Sequence, residues 1–247
     1  MHTEPATLDA VAVPDWARRL TVRPAERAPW RALMARHHYL GFRGLVGEAL
    51  YYVACLDDQW VALLGWAAAA WMCRARDGWI GWTRPQQWAR LRYIANNARF
   101  LILPGVQIPN LASKTLALTT RRLAADWQAI YGHPVVLAET FVDPARFAGT
   151  AYRAAGGQAV GATRGFARAS RHYVRPGHPK TVWVRPLTPA APAVLAAPFL
   201  PPTLRFNPRI MDSRSGFHPL TSFLGGRDAC GHARTGFRWR VPASSRR

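Results

Sequence analysis

The stretch from Glu139 to Gly165, ETFVDPARFAGTAYRAAGGQAVGATRG, constrains the fold more than any other part of the chain. It joins a strand, a helix and a second strand without slack. Apolar Val135 to Phe141 reads as a short buried strand. Asp143 is placed to cap the next helix, with Pro144 at its first position and Gly156 at its end. Gln158 to Thr163 then reads as the following strand.

The rest of the chain extends this pattern. LTVRP at 20–24 reads as a strand, and Ala25 to His37 as a helix with Trp30, Leu33 and Met34 on one face. Tyr51 to Leu56 and Trp60 to Trp66 flank Asp57, Asp58 and Gln59, which predicts a β-hairpin. Thr83 and Gln86 have capping-box spacing before a helix running to about Ala95, and Ala98 to Leu103 reads as a strand. Asn110 is placed to cap a long helix ending at Gly132, with Leu116, Leu123, Trp127 and Ile130 on one stripe. A last strand is expected at Thr181 to Val184. Strands alternating with helices predict an α/β fold, a mixed sheet flanked by helices. Three segments are expected: a flexible N-terminus over 1–18, one domain over 19–187, and a Pro- and Ala-rich linker with a basic, disordered tail over 188–247.

The formal charge of +20 points to a polyanionic partner, nucleic acid and DNA first. The excess is almost all arginine, the residue suited to bidentate phosphate contact, since Lys114 and Lys180 are the only lysines. Its distribution is uneven. Neither Gly78 to Ala125 nor Pro144 to Met211 contains an Asp or Glu. These stretches supply Arg99, Lys114, Arg121, Arg122, Arg146, Arg153 and Arg164 as phosphate-binding candidates. His37 and His38, in a loop reading HHYLGFRGLVGE, and Asn97 beside Arg99 add groups that can contact phosphates or bases. Glu139 and Asp143 bracket a strand end, where ionisable groups of such sheets reach a cleft, and are the candidate catalytic carboxylates.

Cys55, Cys73 and Cys230 share no metal-ligand spacing, so no metal site or disulfide framework is expected, and a reducing cytoplasm fits. The start MHTEPATLDA has neither the basic residues nor the apolar run of a secretory signal, and Trp60 to Met72 is too short to span a bilayer. A metal-dependent DNA-cutting enzyme would need clustered carboxylates, and those here are scattered.

The order of elements resembles the GNAT acetyltransferase fold. In that resemblance Tyr152 occupies the position of the general acid that protonates a departing thiolate, with Gly156 at the entry to the next strand. It implies a coenzyme A pyrophosphate cradle in the loop 103–112, written Q/R-x-x-G-x-G/A in that family. This chain has Gln107, Ile108, Pro109, Asn110, Leu111 and Ala112 there, so no cofactor is expected, and acyl transfer from acetyl-CoA is kept as the alternative function.

Three blocks resemble the DruA family of the Druantia anti-phage defence system, which has transposase-associated relatives. They are HHYLGFRGLVGE at 37–48, NNARFLILPGVQIPNLASKTL at 96–116, and ETFVDPARFAGTAYRAAG with VGATRG within 139–165. The resemblance implies a nucleic-acid-associated protein of phage defence or of a transposable element, with other defence or transposition proteins as partners. One departure is Gly156-Gly157, where that family has Asn-Trp.

Overall fold

A computed structural model describes residues 14–165, 167–169, 172–174 and 178–204. The described chain opens with α1 (Asp15–Arg19), β1 (Leu20–Pro24) and α2 (Arg27–His37), followed by the hairpin β2 (Ala49–Leu56) and β3 (Gln59–Ala68). Two short helices, α3 (Arg74–Ile80) and α4 (Arg84–Arg90), lead into β4 (Ile94–Ile102) and the long α5 (Leu111–Tyr131). Then come β5 (Leu137–Val142), α6 (Thr150–Ala154) and β6 (Gln158–Ala162). β7 (Ala167–Ala169) and β8 (His172–Val174) pair as a separate ribbon, and β9 (Thr181–Pro186) precedes α7 (Ala191–Ala196).

Seven strands form one mixed sheet in the order β1-β2-β3-β4-β5-β9-β6. Every pairing is antiparallel except β4 with β5. The hairpin follows from local chemistry: Asp57 and Asp58 both take positive φ, 48° and 64°, the twist-matched turn that two-residue hairpin loops favour. Alternation along β2 and β3 sends Tyr52, Leu64 and Trp66 to one face, against Leu116, Leu123 and Trp127 of α5. It sends Val53 and Leu63 to the other, against Trp30 and Met34 of α2. On the far half of the sheet Ile80, Tyr93, Leu137, Val184 and Leu195 close a further core. Among the described residues no helix is long and apolar enough to cross a membrane.

Several local expectations need correction. Asn110 takes φ 61° at the start of α5 and its side chain makes no capping hydrogen bond. Asp143 caps a turn rather than a helix: its Oδ1 accepts from the Ala145 amide at 3.0 Å, and the helix waits until Thr150, after Gly149. Ile130 lies on the α5 stripe yet is 55 % exposed. At the N-terminus, Asp15–Arg19 is helical, and residues 1–13 lie outside the described residues.

The expected linker from 188 is instead partly core. Ala191 and Leu195 of α7 are fully buried. Arg90 Nη1 donates to the carbonyls of Leu195 at 2.8 Å and Ala197 at 2.6 Å, Nη2 to Pro198 at 3.1 Å, and Gln86 Nε2 to Ala196 at 2.9 Å. A cation and an amide thus satisfy the orphan carbonyls at the end of α7. The expected tail over 205–247 lies outside the described residues.

Candidate functional site

β4 and β5 pair only where Ile94, Ala95 and Asn96 meet Leu137, Ala138 and Glu139. Beyond that point the strands part. On the β3 side, Gly65 pairs with Arg99 and Trp66 with Asn97, so Ala98 is an extra residue that bulges β4. A bulge bends its strand, which supplies the local reason for the parting. Thr140 Oγ1 donates to the Asn97 carbonyl at 3.1 Å at the apex. A groove of about 750 Å³ opens between the diverging strands, walled by the end of α2 and by the turn before α6.

Three separate segments build its walls: His37 to Leu40, Asn96 to Ile102, and Thr140 to Tyr152. Each belongs to a different one of the three blocks that carry the family resemblance. Of the residues singled out in the sequence, His37, His38, Asn97, Arg99, Asp143, Arg146 and Tyr152 meet here. Lys180 joins them, along with two aromatic residues that the sequence reading did not single out, Tyr39 and Phe147. Their signal was an aromatic side chain directly following a candidate basic group, His38-Tyr39 and Arg146-Phe147.

The groups have defined states. His38 Nδ1 accepts from the Leu40 amide at 3.2 Å, which leaves the ring proton on Nε2. Burial and the neighbouring Arg99 charge hold the imidazole below its ordinary pKa, so it is neutral at physiological pH. Arg99 donates Nη1 to the Ala98 carbonyl at 2.7 Å, while its buried Nε has no hydrogen-bond partner. Burial lowers its pKa, yet a guanidinium stays charged. The Arg146 guanidinium lies 4.8 Å from the centre of the Tyr39 ring, and Tyr39 also stacks on His38 at 4.8 Å.

Tyr152 faces inward. Its hydroxyl donates to Asn97 Oδ1 at 2.8 Å, and Asn97 Nδ2 reaches the carbonyls of Gly65 at 3.4 Å and Arg99 at 3.3 Å. Burial pushes the phenol up to about 12, so it keeps its proton at physiological pH. Tyr152→Phe removes one hydroxyl and leaves the Asn97 oxygen without that donor, so about 1–3 kcal/mol of stability should be lost. Thermal melting of the purified variant measures the loss. An unchanged melting point would show that the hydroxyl's bond to Asn97 adds nothing to stability.

The remaining candidates lie elsewhere. Glu139 is buried behind the apex, where its Oε2 accepts from Arg76 at 2.9 Å and its Oε1 from the Ala70 amide at 2.8 Å. Arg122 is committed to Asp126 at 2.6 Å and to the Val22 carbonyl at 2.7 Å. Lys114 and Arg121 are exposed on α5, Arg153 stands 5.8 Å over the Trp183 ring, and Arg164 is exposed beyond β6. Among the described residues the basic candidates are therefore divided between the groove and other parts of the surface.

The loop between β4 and α5 does not suit a coenzyme pyrophosphate. Pro109 has no amide, the Leu111 amide is spent on the Ile108 carbonyl at 3.2 Å, and Val106 and Ile108 pack into the core. A carboxylate-bound metal finds no better support. Glu48 pairs with His133, Asp126 with Arg122, and Glu139 with Arg76, and no cluster among the described residues could hold a metal ion.

The family model described as Druantia protein DruA matches residues 14–175. No curated protein matches the chain. Among solved structures, aminoglycoside acetyltransferase AAC(6')-Ib in complex with paromomycin and acetyl-CoA is similar at a TM-score of 0.44 and 16 % identity, over 68 % of this chain and 93 % of that one. The ribosomal-protein-S18-alanine N-acetyltransferase from Escherichia coli is similar at 0.44 and 11 %, over 68 % and 94 %. A GNAT-family acetyltransferase from Streptococcus pneumoniae is similar at 0.41 and 13 %, over 68 % and 98 %.

Proposed function

The chain belongs to the Druantia protein DruA family, and from that premise we infer that it serves Druantia-type phage defence, or a related transposable element, by binding nucleic acid. The observation that carries this reading is the composition of the groove. Arg99, Arg146 and Lys180 line it with two histidines, against Asp143 as its one carboxylate among the described residues. Cations in a concave wall concentrate a polyanion, and their guanidinium and ammonium donors suit phosphate oxygens. Acyl transfer from acetyl-CoA is the weaker reading because, in the loop after β4, Pro109 brings no amide and the Leu111 amide is spent on the Ile108 carbonyl.

DNA affinity, measured by fluorescence anisotropy, should fall steeply as salt rises, because each neutralised phosphate releases counterions. Lys180→Ala and Arg146→Ala should each weaken binding and reduce the slope of log affinity against log salt by about 1. Affinity that does not change between low and physiological salt would refute the electrostatic reading. Arg122→Ala should behave differently, losing stability through Asp126 and Val22.

A further inference from the structure

Phe147 and Tyr39 are 54 % and 47 % exposed, and both line the groove whose walls carry Arg99, Arg146 and Lys180. Exposed aromatic rings are costly to keep in water, and here they stand among cations in a concavity. Tyr39 is already engaged, by His38 on its ring, by Arg146 at 4.8 Å and by Phe147 at 5.8 Å. Among the described residues, Phe147 has that one tilted ring contact, at an interplanar angle of 59°. Tyr39 buttresses the cluster, and Phe147 offers the open surface.

We propose that Phe147 is a stacking platform for one base of a single-stranded nucleic acid, whose flanking phosphates lie on Arg99, Arg146 and Lys180. The inference rests on the nucleic-acid reading above and adds which form of nucleic acid this groove takes. Two arguments select a single strand. In a duplex both faces of a base are covered by its neighbours, whereas an unpaired base has a face free for the ring. Base stacking on an aromatic residue beside a basic track is the way sequence-tolerant single-strand binders work. Arg99, fixed on the groove wall by its Nη1 bond to the Ala98 carbonyl at 2.7 Å, gives the adjoining phosphate a positioned cation.

The test compares a fluorescent oligothymidylate with a duplex of equal length, bound to the full chain, to Phe147→Ala and to Phe147→Tyr. Phe147→Ala should weaken single-strand binding about tenfold or more, the value of one base–aromatic stack, and change duplex binding less than about twofold. Phe147→Tyr should restore the single-strand affinity because it restores the ring. Circular-dichroism melting of both variants should match the parent, as the side chain is half in solvent. Equal losses on both probes, or no loss on the single strand, would overturn the platform. If the parent chain binds the duplex but not the oligothymidylate, the platform fails while the nucleic-acid reading stands. If it binds neither, both fail.

Discussion

Replacing Arg76 with methionine should destabilise the domain by about 3–5 kcal/mol, because it leaves the Glu139 carboxylate buried and unpaired. Arg76 on α3 and Glu139 on β5 are both fully buried side chains, paired at 2.9 Å. Arg76 also reaches the Ala70 carbonyl at 2.8 Å and Asp77 at 2.9 Å, so one guanidinium fastens the end of β3, α3 and β5 together. Burial pushes the Glu139 carboxyl up, and the Arg76 charge, together with the Ala70 amide that donates to the carboxylate, opposes that shift. Heat or urea unfolding measures the loss, which for a chain of this size corresponds to about 6–20 °C in melting temperature. The double variant Arg76→Met with Glu139→Leu should recover much of the stability, since well-packed apolar side chains often replace a buried pair at no net cost. An unchanged melting temperature in Arg76→Met would overturn this structural role of the pair.

That pair also shows why part of the fold was hard to read. The hairpin was legible because alternation and two turn-forming aspartates act locally, and α5 because one stripe of large apolar residues repeats along it. A stripe gives the buried face of a helix but not how far the sheet beneath it extends, and Ile130 is left in solvent. The sequence of α3, RARDGWI, has no apolar period and a glycine inside, and what anchors it is a charge pair 63 residues apart. α7 read as a linker because its residues are small. Yet Ala191 and Leu195 close against the core while Arg90 and Gln86 hold its last carbonyls, contacts that no local pattern announces.

The candidate site divided along the same line. Charge counting treats every arginine alike, yet Arg90 and Arg122 are spent on carbonyls and a carboxylate of the protein itself. His38, Arg99, Arg146 and Tyr152 were named from local context and do meet in one groove. What brings them together is the bulge at Ala98 and the early end of the β4–β5 pairing. Both are properties of register, which no single segment encodes.

Gly149→Ala should be among the most damaging single-methyl additions to this domain. Gly149 has φ 74°, and a Cβ there would stand 2.5 Å from Cζ2, 2.6 Å from Cε2 and 2.7 Å from Nε1 of Trp183. Trp183 is itself 4 % exposed, on a strand held between β5 and β6, so its ring cannot withdraw cheaply. The left-handed backbone costs an alanine about 1–2 kcal/mol, and forcing a methyl into a packed ring adds about 1–3 kcal/mol. Gly105→Ala isolates the first contribution: its φ is 83°, and nothing lies within 4 Å of the added methyl. Urea unfolding of the two variants should therefore give a clearly larger loss at 149. Similar losses at both positions would mean that Trp183 yields, and that the wall of the groove is softer than its packing implies. The consequence reaches the groove because Gly149 is the N-cap of α6, two residues after Phe147 and three before Tyr152. Any backbone shift that relieves the clash must move one or both of those side chains, so Gly149→Ala should also weaken single-strand binding in whatever fraction remains folded, whereas Gly105→Ala should not.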